Sequence, residues 1–154
     1  MTRILFLCTG NICRSPLADG YARRRVRELG LDWPIDSAGT GAWHVGEAPD
    51  PRAAAVAQRR GYPIDTLRAR QLRRTDYLEF DHIIALDRGH LDFLQRHCPQ
   101  DGVAENSLLL EWSSVMHEDV ADPYYDDDAA FERAADEIEA GVDALIAALH
   151  DRAS

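Results

Sequence analysis

The apolar residues of this chain switch between two kinds of segment, and that alternation restricts the fold more than any other feature. Short continuous apolar runs suit buried strands. They fall at residues 3–8 and 82–86, and further short strands are predicted at 35–40 and 107–110. Helical spacing fills the intervals. Leu17, Tyr21, Val26 and Leu29 recur at roughly one-turn steps up to Gly30, and Pro16 sits where a first helical turn tolerates it. Asp50-Pro51 opens a second helix with a capping residue and a proline in its first turn. That helix runs through Ala53, Ala54, Val56 and Ala57 and stops at Gly61. Another is predicted over 89–97. Phe131, Ala135, Ile138, Val142, Leu145 and Leu149 form one apolar stripe on a long final helix. Asp126, Asp127 and Asp128 precede it, where acid complements the helix dipole. Strands alternating with helices predict an α/β fold, a three-layer sandwich with helices on both faces of a parallel, twisted, four-stranded sheet. With 154 residues, the chain is expected to be a single domain, 1–154, large enough for a core without disulfides.

Charge and cysteine usage exclude several classes. The net charge of -10 argues against a general nucleic-acid binder, which needs a basic face. The excess acid is confined to residues 117–154, with 12 acidic and 2 basic residues, whereas residues 1–116 hold 15 of each. Residues 1–27 carry six Arg and one Asp, a local +5 expected to favour anions there. All 17 basic residues are arginine. No apolar run reaches the roughly 18 residues of a membrane helix, and the run at 4–7 is too short for a signal-peptide core. Three cysteines cannot form an even disulfide framework, so free thiols and a cytoplasmic location are expected.

Ligands of parallel α/β sheets sit beyond the carboxyl ends of the strands. The first such end reads Cys8-Thr9-Gly10-Asn11-Ile12-Cys13-Arg14-Ser15-Pro16. Backbone N–H groups of a strand-to-helix loop can turn inward around an anion, and the helix N-terminus adds positive potential. Arg14 supplies a planar fork matched to two phosphate oxygens. The reactive form of cysteine is the thiolate, which such a field favours. Cys8 is thus placed as a nucleophile at the floor of an anion cradle, suited to attack on a phosphoryl group. Ser15 is positioned to hydrogen-bond the thiolate. Asn11 is expected in a left-handed backbone conformation, which Asn tolerates.

This loop resembles the signature of the low-molecular-weight protein tyrosine phosphatases, Cys-x5-Arg-Ser/Thr near the N-terminus. Further blocks are similar in order along nearly the whole chain: Asp36-Ser37-Ala38-Gly39-Thr40, Trp43, Val45-Gly46, Pro49-Asp50-Pro51-Arg52-Ala53, Ala69-Arg70-Gln71, Ala85-Leu86-Asp87 and Asp122-Pro123-Tyr124-Tyr125. The resemblance implies a flavodoxin-like sheet of order 2-1-3-4 and metal-independent hydrolysis of phosphotyrosine and small aryl phosphates. It implies a phosphocysteine on Cys8, with residues 9–14 (Thr9, Gly10, Asn11, Ile12, Cys13, Arg14) around the phosphate. Ser15, Asn11 and Ser37 would support the loop. Asp122 would be the general acid and then the base, a role that typically contributes about 10²–10⁴-fold. Trp43, Tyr124 and Tyr125, with Ile12, would wall the substrate ring. Phosphotyrosine proteins are the implied partners and inorganic phosphate the product, for a monomer or weak dimer with no cofactor, nucleic acid or membrane.

Blander readings stand beside these. Cys13 either packs or forms a protective disulfide with Cys8, a pairing implied by the resemblance and chemically sound for an oxidised thiolate. Cys98 is read as a structural thiol. His90, His97 and Cys98 are too loosely spaced for zinc, and the histidines are read as surface or core residues. Arg23, Arg24 and Arg25 are read as a solvated helix face, and Asp126 to Asp128 as helix capping. Tyr124 and Tyr125 are either packing residues or, by resemblance, modification sites. One departure is Leu67, where animal-type members place a His that braces the Asn of the loop through a Ser like Ser37. Rival functions are an arsenate reductase, a protein arginine phosphatase and a non-catalytic phosphotyrosine-binding module. The first needs two further close cysteines, and only Cys98 lies beyond the loop. Arginine phosphatases carry Thr at the position of Ile12. The third normally lacks one of Cys8, Arg14 and Asp122.

Overall fold

The computed structural model describes residues 1–114 and 117–153. The expected domain 1–154 also includes Val115, Met116 and Ser154, which lie outside the described residues. Along the chain come β1 (Ile4–Cys8), α1 (Arg14–Glu28), β2 (Ile35–Gly39), α2 (Pro51–Arg60), the one-turn α3 (Asp76–Glu79), β3 (His82–Ala85), α4 (Arg88–His97), β4 (Glu105–Leu108), a 3₁₀ turn (Leu109–Trp112) and α5 (Asp128–Ala153). The four strands are parallel in the order β2-β1-β3-β4, as expected. β1 is central and fully buried, paired in register with β2 from Ile4↔Ile35 to Cys8↔Gly39.

The pleat of β1 divides the core in two. Ile4, Phe6 and Cys8 face one layer, built from Leu17, Ala18 and Ala22 of α1, Ala53, Val56 and Ala57 of α2, and the α5 stripe. Leu5 and Leu7 face the other, with Tyr77, Ile83, Ala85, Leu94 and Leu108. Phe131, Ala135, Ile138, Val142, Leu145 and Leu149 are all buried, so the predicted stripe is the face that docks α5. Burying side chains of this size gains roughly 1.5–3 kcal/mol each, which is why helical position follows the apolar pattern.

Local signals behave as their chemistry dictates. Asp50 caps α2 by accepting from Arg52 N at 2.8 Å, and Gly61 ends it at φ 85°. Asp127 accepts from Ala130 N at 3.1 Å, capping α5. The fourth strand lies earlier than the apolar run indicated. It spans Glu105–Leu108, while Leu109 and Leu110 belong to the 3₁₀ turn. It is an edge strand, and its first three residues are not buried. α1 begins at Arg14, two residues before Pro16, so its first turn grows directly out of the loop that follows β1. Cys98 is exposed, which corrects its reading as a structural thiol. Among the described residues, no helix is long and apolar enough to cross a membrane.

Candidate active site

The carboxyl end of β1 opens into a cleft of about 340 Å³ lined by Cys8, Thr9, Gly10, Ile12, Cys13, Arg14, Trp43, His44, Asp122, Tyr124 and Tyr125. Ten of these are predicted site residues, and the eleventh, His44, was not foreseen. Asn11, Ser15 and Ser37 do not line the cleft; all three are buried beneath it.

The loop is held open from below. Asn11 takes φ 58°, the left-handed conformation its side chain tolerates. Its Nδ2 donates to Ser15 Oγ at 2.8 Å and to Ser37 Oγ at 3.0 Å. Its Oδ1 accepts from the Arg70 backbone N–H at 3.0 Å. That last contact resolves the Leu67 departure, because Arg70 supplies the brace while Leu67 packs against the apolar core. Arg70 is itself fixed, pairing with Asp36 at 3.1 Å and with the buried Asp76 at 2.9 Å. Among the described residues, no protein acceptor takes a hydrogen bond from the backbone N–H groups of residues 10–15. Buried N–H groups nearly always have partners, so these donors are open to an acceptor, and the start of α1 adds positive potential beside them.

Ser15 Oγ lies 2.9 Å from Cys8 Sγ. That oxygen accepts from Asn11 and has the Ala38 carbonyl at 3.4 Å as a second partner for its proton; a Cys8 thiolate carries no proton, so toward sulfur the serine hydroxyl is the donor. Cys13 differs from Cys8. Burial, followed by the Asp50 carboxylate, pushes its thiol well above the usual range and keeps it protonated.

Arg14 is buried and its guanidinium is divided between duties. Nη1 donates to Asp87 Oδ2 and to Val120 O, each at 2.8 Å. Nη2 lies 3.6 Å from Asp122 Oδ2 and 3.5 Å from His90 Nε2. His90 Nε2 is also 2.9 Å from Thr9 Oγ1. Asp87 and His90 were missed as site residues, and His90 is more than the ordinary core histidine expected. A signal existed: Asp87 caps a helix at the end of the strand neighbouring β1, where ligands of such sheets gather.

The cleft walls are aromatic. Trp43 is 72% exposed, its ring folded back over Gly41, where any Cβ would meet it at 1.8 Å. Tyr124 and the 90%-exposed Tyr125 meet edge to face, with centroids 4.9 Å apart. Arg52 fastens this wall. It donates to Tyr124 O at 2.8 Å and to Asp126 O at 3.1 Å while pairing with Asp50 at 3.0 Å. Asp122 stays half-exposed, its Oδ1 accepting from Tyr124 N at 3.1 Å.

Fold and site together define an α/β protein with a thiol-bearing anion loop at the carboxyl end of its first strand. Residues 3–154 match the family model of the low molecular weight phosphotyrosine protein phosphatases, and the chain belongs to that family of phosphoric monoester hydrolases. It is 41% identical over 156 residues to a low molecular weight protein-tyrosine-phosphatase of Streptomyces coelicolor, covering 97% of this chain and 94% of that one. It superposes on a protein tyrosine phosphatase from Entamoeba histolytica, crystallised with Hepes in its active site, with a TM-score of 0.94 and 30% identity over 100% of both chains. A Drosophila arginine phosphatase has a TM-score of 0.91 at 27% identity, covering 97% of this chain and 98% of its own. Fold therefore leaves the phosphorylated residue to be decided by the site.

Proposed function

We propose that the protein hydrolyses phosphotyrosine in protein substrates, and small aryl phosphates, through a phosphocysteine on Cys8. The observation that carries this is the convergence of Cys8, Arg14 and Asp122 in one cleft walled by Trp43, Tyr124 and Tyr125. The phosphoryl group sits among the free N–H groups of the loop and against the Nε and Nη2 edge of Arg14, since Nη1 is held by Asp87 and Val120. Cys8 Sγ attacks phosphorus as the thiolate. The S–P bond forms, the bond to the aryl oxygen breaks, and that oxygen takes the Asp122 proton. The Asp122 carboxylate then removes a proton from water, which attacks phosphorus. The S–P bond breaks, inorganic phosphate forms, and the Ser15 hydroxyl stabilises the departing thiolate.

Specificity follows from the walls. Stacking on aromatic rings gains about 0.5–1.5 kcal/mol beyond burial, which favours an aryl ring over the short phosphoserine chain. Ile12, packed at the cleft edge, presents an apolar surface where a guanidinium phosphate would want a hydrogen-bond acceptor. The family match over 3–154 supports a single catalytic domain. The free thiols of Cys8, Cys13 and Cys98 suit the cytoplasm. The test is a side-by-side assay of phosphotyrosine, phosphoarginine and phosphoserine peptides, with arsenate reduction as a control. Preferential phosphotyrosine turnover is expected. Faster turnover of phosphoarginine would transfer the assignment to the arginine phosphatases.

A further inference from the structure

His90 is 4% exposed, and its ring lies against Thr9 and Arg14 of the cleft and against Asp87 behind them. Nε2 is 2.9 Å from Thr9 Oγ1 and 3.5 Å from Arg14 Nη2. Nδ1 lies 3.2 Å from Asp87 Oδ1, close to the carboxylate but off the line of a straight hydrogen bond. Asp87 Oδ1 also accepts from His90 N at 2.9 Å, fixing the ring at the start of α4.

These partners determine the tautomer. Arg14 has only donors, so Nε2 facing it must carry a lone pair. A carboxylate has only acceptors, so Nδ1 facing it must carry the proton. Thr9 then donates its hydroxyl to Nε2. The charged groups around the ring are Arg14 on α1, Asp87 at the cap of α4, and Asp119 and Asp122 in the segment before α5. Burial first, and the Arg14 charge second, outweigh those carboxylates and push His90 down to about 4.

We propose that His90 is a positioning residue for phosphoryl binding: the lone pair of its neutral Nε2 takes the Thr9 hydroxyl at 2.9 Å, is shared with Arg14 Nη2 at 3.5 Å, and holds the guanidinium edge toward the loop. The proposal rests on the phosphatase reading above. Asp87 fixes one side of Arg14 through Nη1, and His90 restrains the other through Nη2. Protonating Nε2 would remove the acceptor from both donors and set a second cation against Arg14. The cradle is thereby disarmed from the acid side by a group that does not touch the reacting atoms.

The test compares His90→Leu, which fills the space without an acceptor, with His90→Gln, which keeps an acceptor near the Nε2 position but cannot become a cation. Binding of inorganic phosphate by calorimetry and kcat/KM on an aryl phosphate are measured from about pH 4 to about pH 8, which spans the histidine range. Hydrogen bonds to a charged group imply a loss of roughly 10- to 100-fold for His90→Leu in both readouts. His90→Gln is expected to recover most of it, and its binding relative to wild type should rise below about pH 5, where only the wild type protonates. Wild-type behaviour of His90→Leu would overturn the proposal. Equal damage by both variants would reduce His90 to packing and overturn it too, as would a Gln-to-wild-type ratio that ignores pH. If His90→Leu does not fold, the pH dependence of the Gln ratio decides alone. A wild-type protein that binds phosphate but turns over no aryl phosphate would sink the phosphatase reading, while the calorimetric arm would still judge His90.

Discussion

Asn11 is the residue on which the loop's shape most depends, and replacing it separates two effects that the structure makes additive. Its side chain forms three hydrogen bonds, to Ser15, Ser37 and Arg70 N, and its backbone sits at φ 58°. At about 1 kcal/mol net per buried hydrogen bond, losing all three costs about 3 kcal/mol. An alanine at this left-handed position adds about 1–2 kcal/mol of steric strain that glycine escapes. Glycine instead brings a looser unfolded chain, worth about 0.5–1 kcal/mol against it. Asn11→Ala should therefore destabilise the protein by about 4 kcal/mol and Asn11→Gly by slightly less, read from urea unfolding at fixed pH. Both should also lose phosphate affinity, because the free N–H groups of residues 10–15 depend on this brace. If both variants stayed within about 1 kcal/mol of wild type, the bonds would be weak and the bracing argument wrong. If Ala proved more stable than Gly, the left-handed strain would be the part refuted.

Cys8→Ser should abolish aryl phosphate turnover and keep phosphate binding; turnover near wild type would remove Cys8 as nucleophile. Asp122→Asn should slow phenyl phosphate more than an aryl phosphate with a good leaving group, and equal losses would remove the proton-donor role. Ile12→Thr should raise phosphoarginine turnover relative to phosphotyrosine, and an unchanged ratio would weaken the case that this wall selects the substrate. Stability should depend on His90 as well. The unfolded chain takes up that proton near the ordinary value of 6.5 and the folded chain only near 4, so the stabilisation is complete above about pH 6.5 and is lost as pH falls toward 4. Between about pH 6.5 and about pH 5 this amounts to about 2 kcal/mol. Urea midpoints should therefore fall further in wild type than in His90→Gln, and parallel falls would contradict the shifted histidine.

What was legible in the chain was what is carried by periodicity and by local chemistry. The α5 stripe, the Asp50 and Gly61 caps and the left-handed Asn11 each follow from one residue's own preferences, and each is present. Three parts were hidden for different reasons. β4 begins at Glu105 because pairing with β3, and not burial, defines an edge strand, so an apolar run marks it too late. The brace on Asn11 comes from a backbone N–H, which every residue but proline has and no sequence pattern displays. Asp87 and His90 reach Arg14 only because β3 lies beside β1, so that contact depends on long-range strand pairing.

The same distinction applies to charge. The excess of arginine in residues 1–27 was expected to give the loop a local positive field, yet most of it is directed elsewhere. Arg23 pairs with the buried Asp19, Arg24 with Glu28, and Arg25 with Glu28 and Asp143. They form the solvated helix face expected of them, laced with ion pairs, and not an anion site. Much of the acid of α5 is taken up in the same way, with Glu132, Asp136 and Glu139 gathered around Arg60 and Glu132 also meeting Arg59. Of the six arginines in that segment, Arg14 is the one that lines the cleft, and Asp87 shares its charge. Under the proposed function, a phosphate dianion is held mainly by oriented donors: the free N–H groups of residues 10–15, the start of α1, and the remaining edge of Arg14. Dipoles fixed at contact distance are far less screened by salt than a diffuse surface field, which decays over about 8 Å at physiological ionic strength. Phosphate affinity should therefore change little when Arg23, Arg24 and Arg25 are together replaced by Gln, once any loss of stability is allowed for. A drop as large as that of an Arg14 variant would restore the field to the leading role.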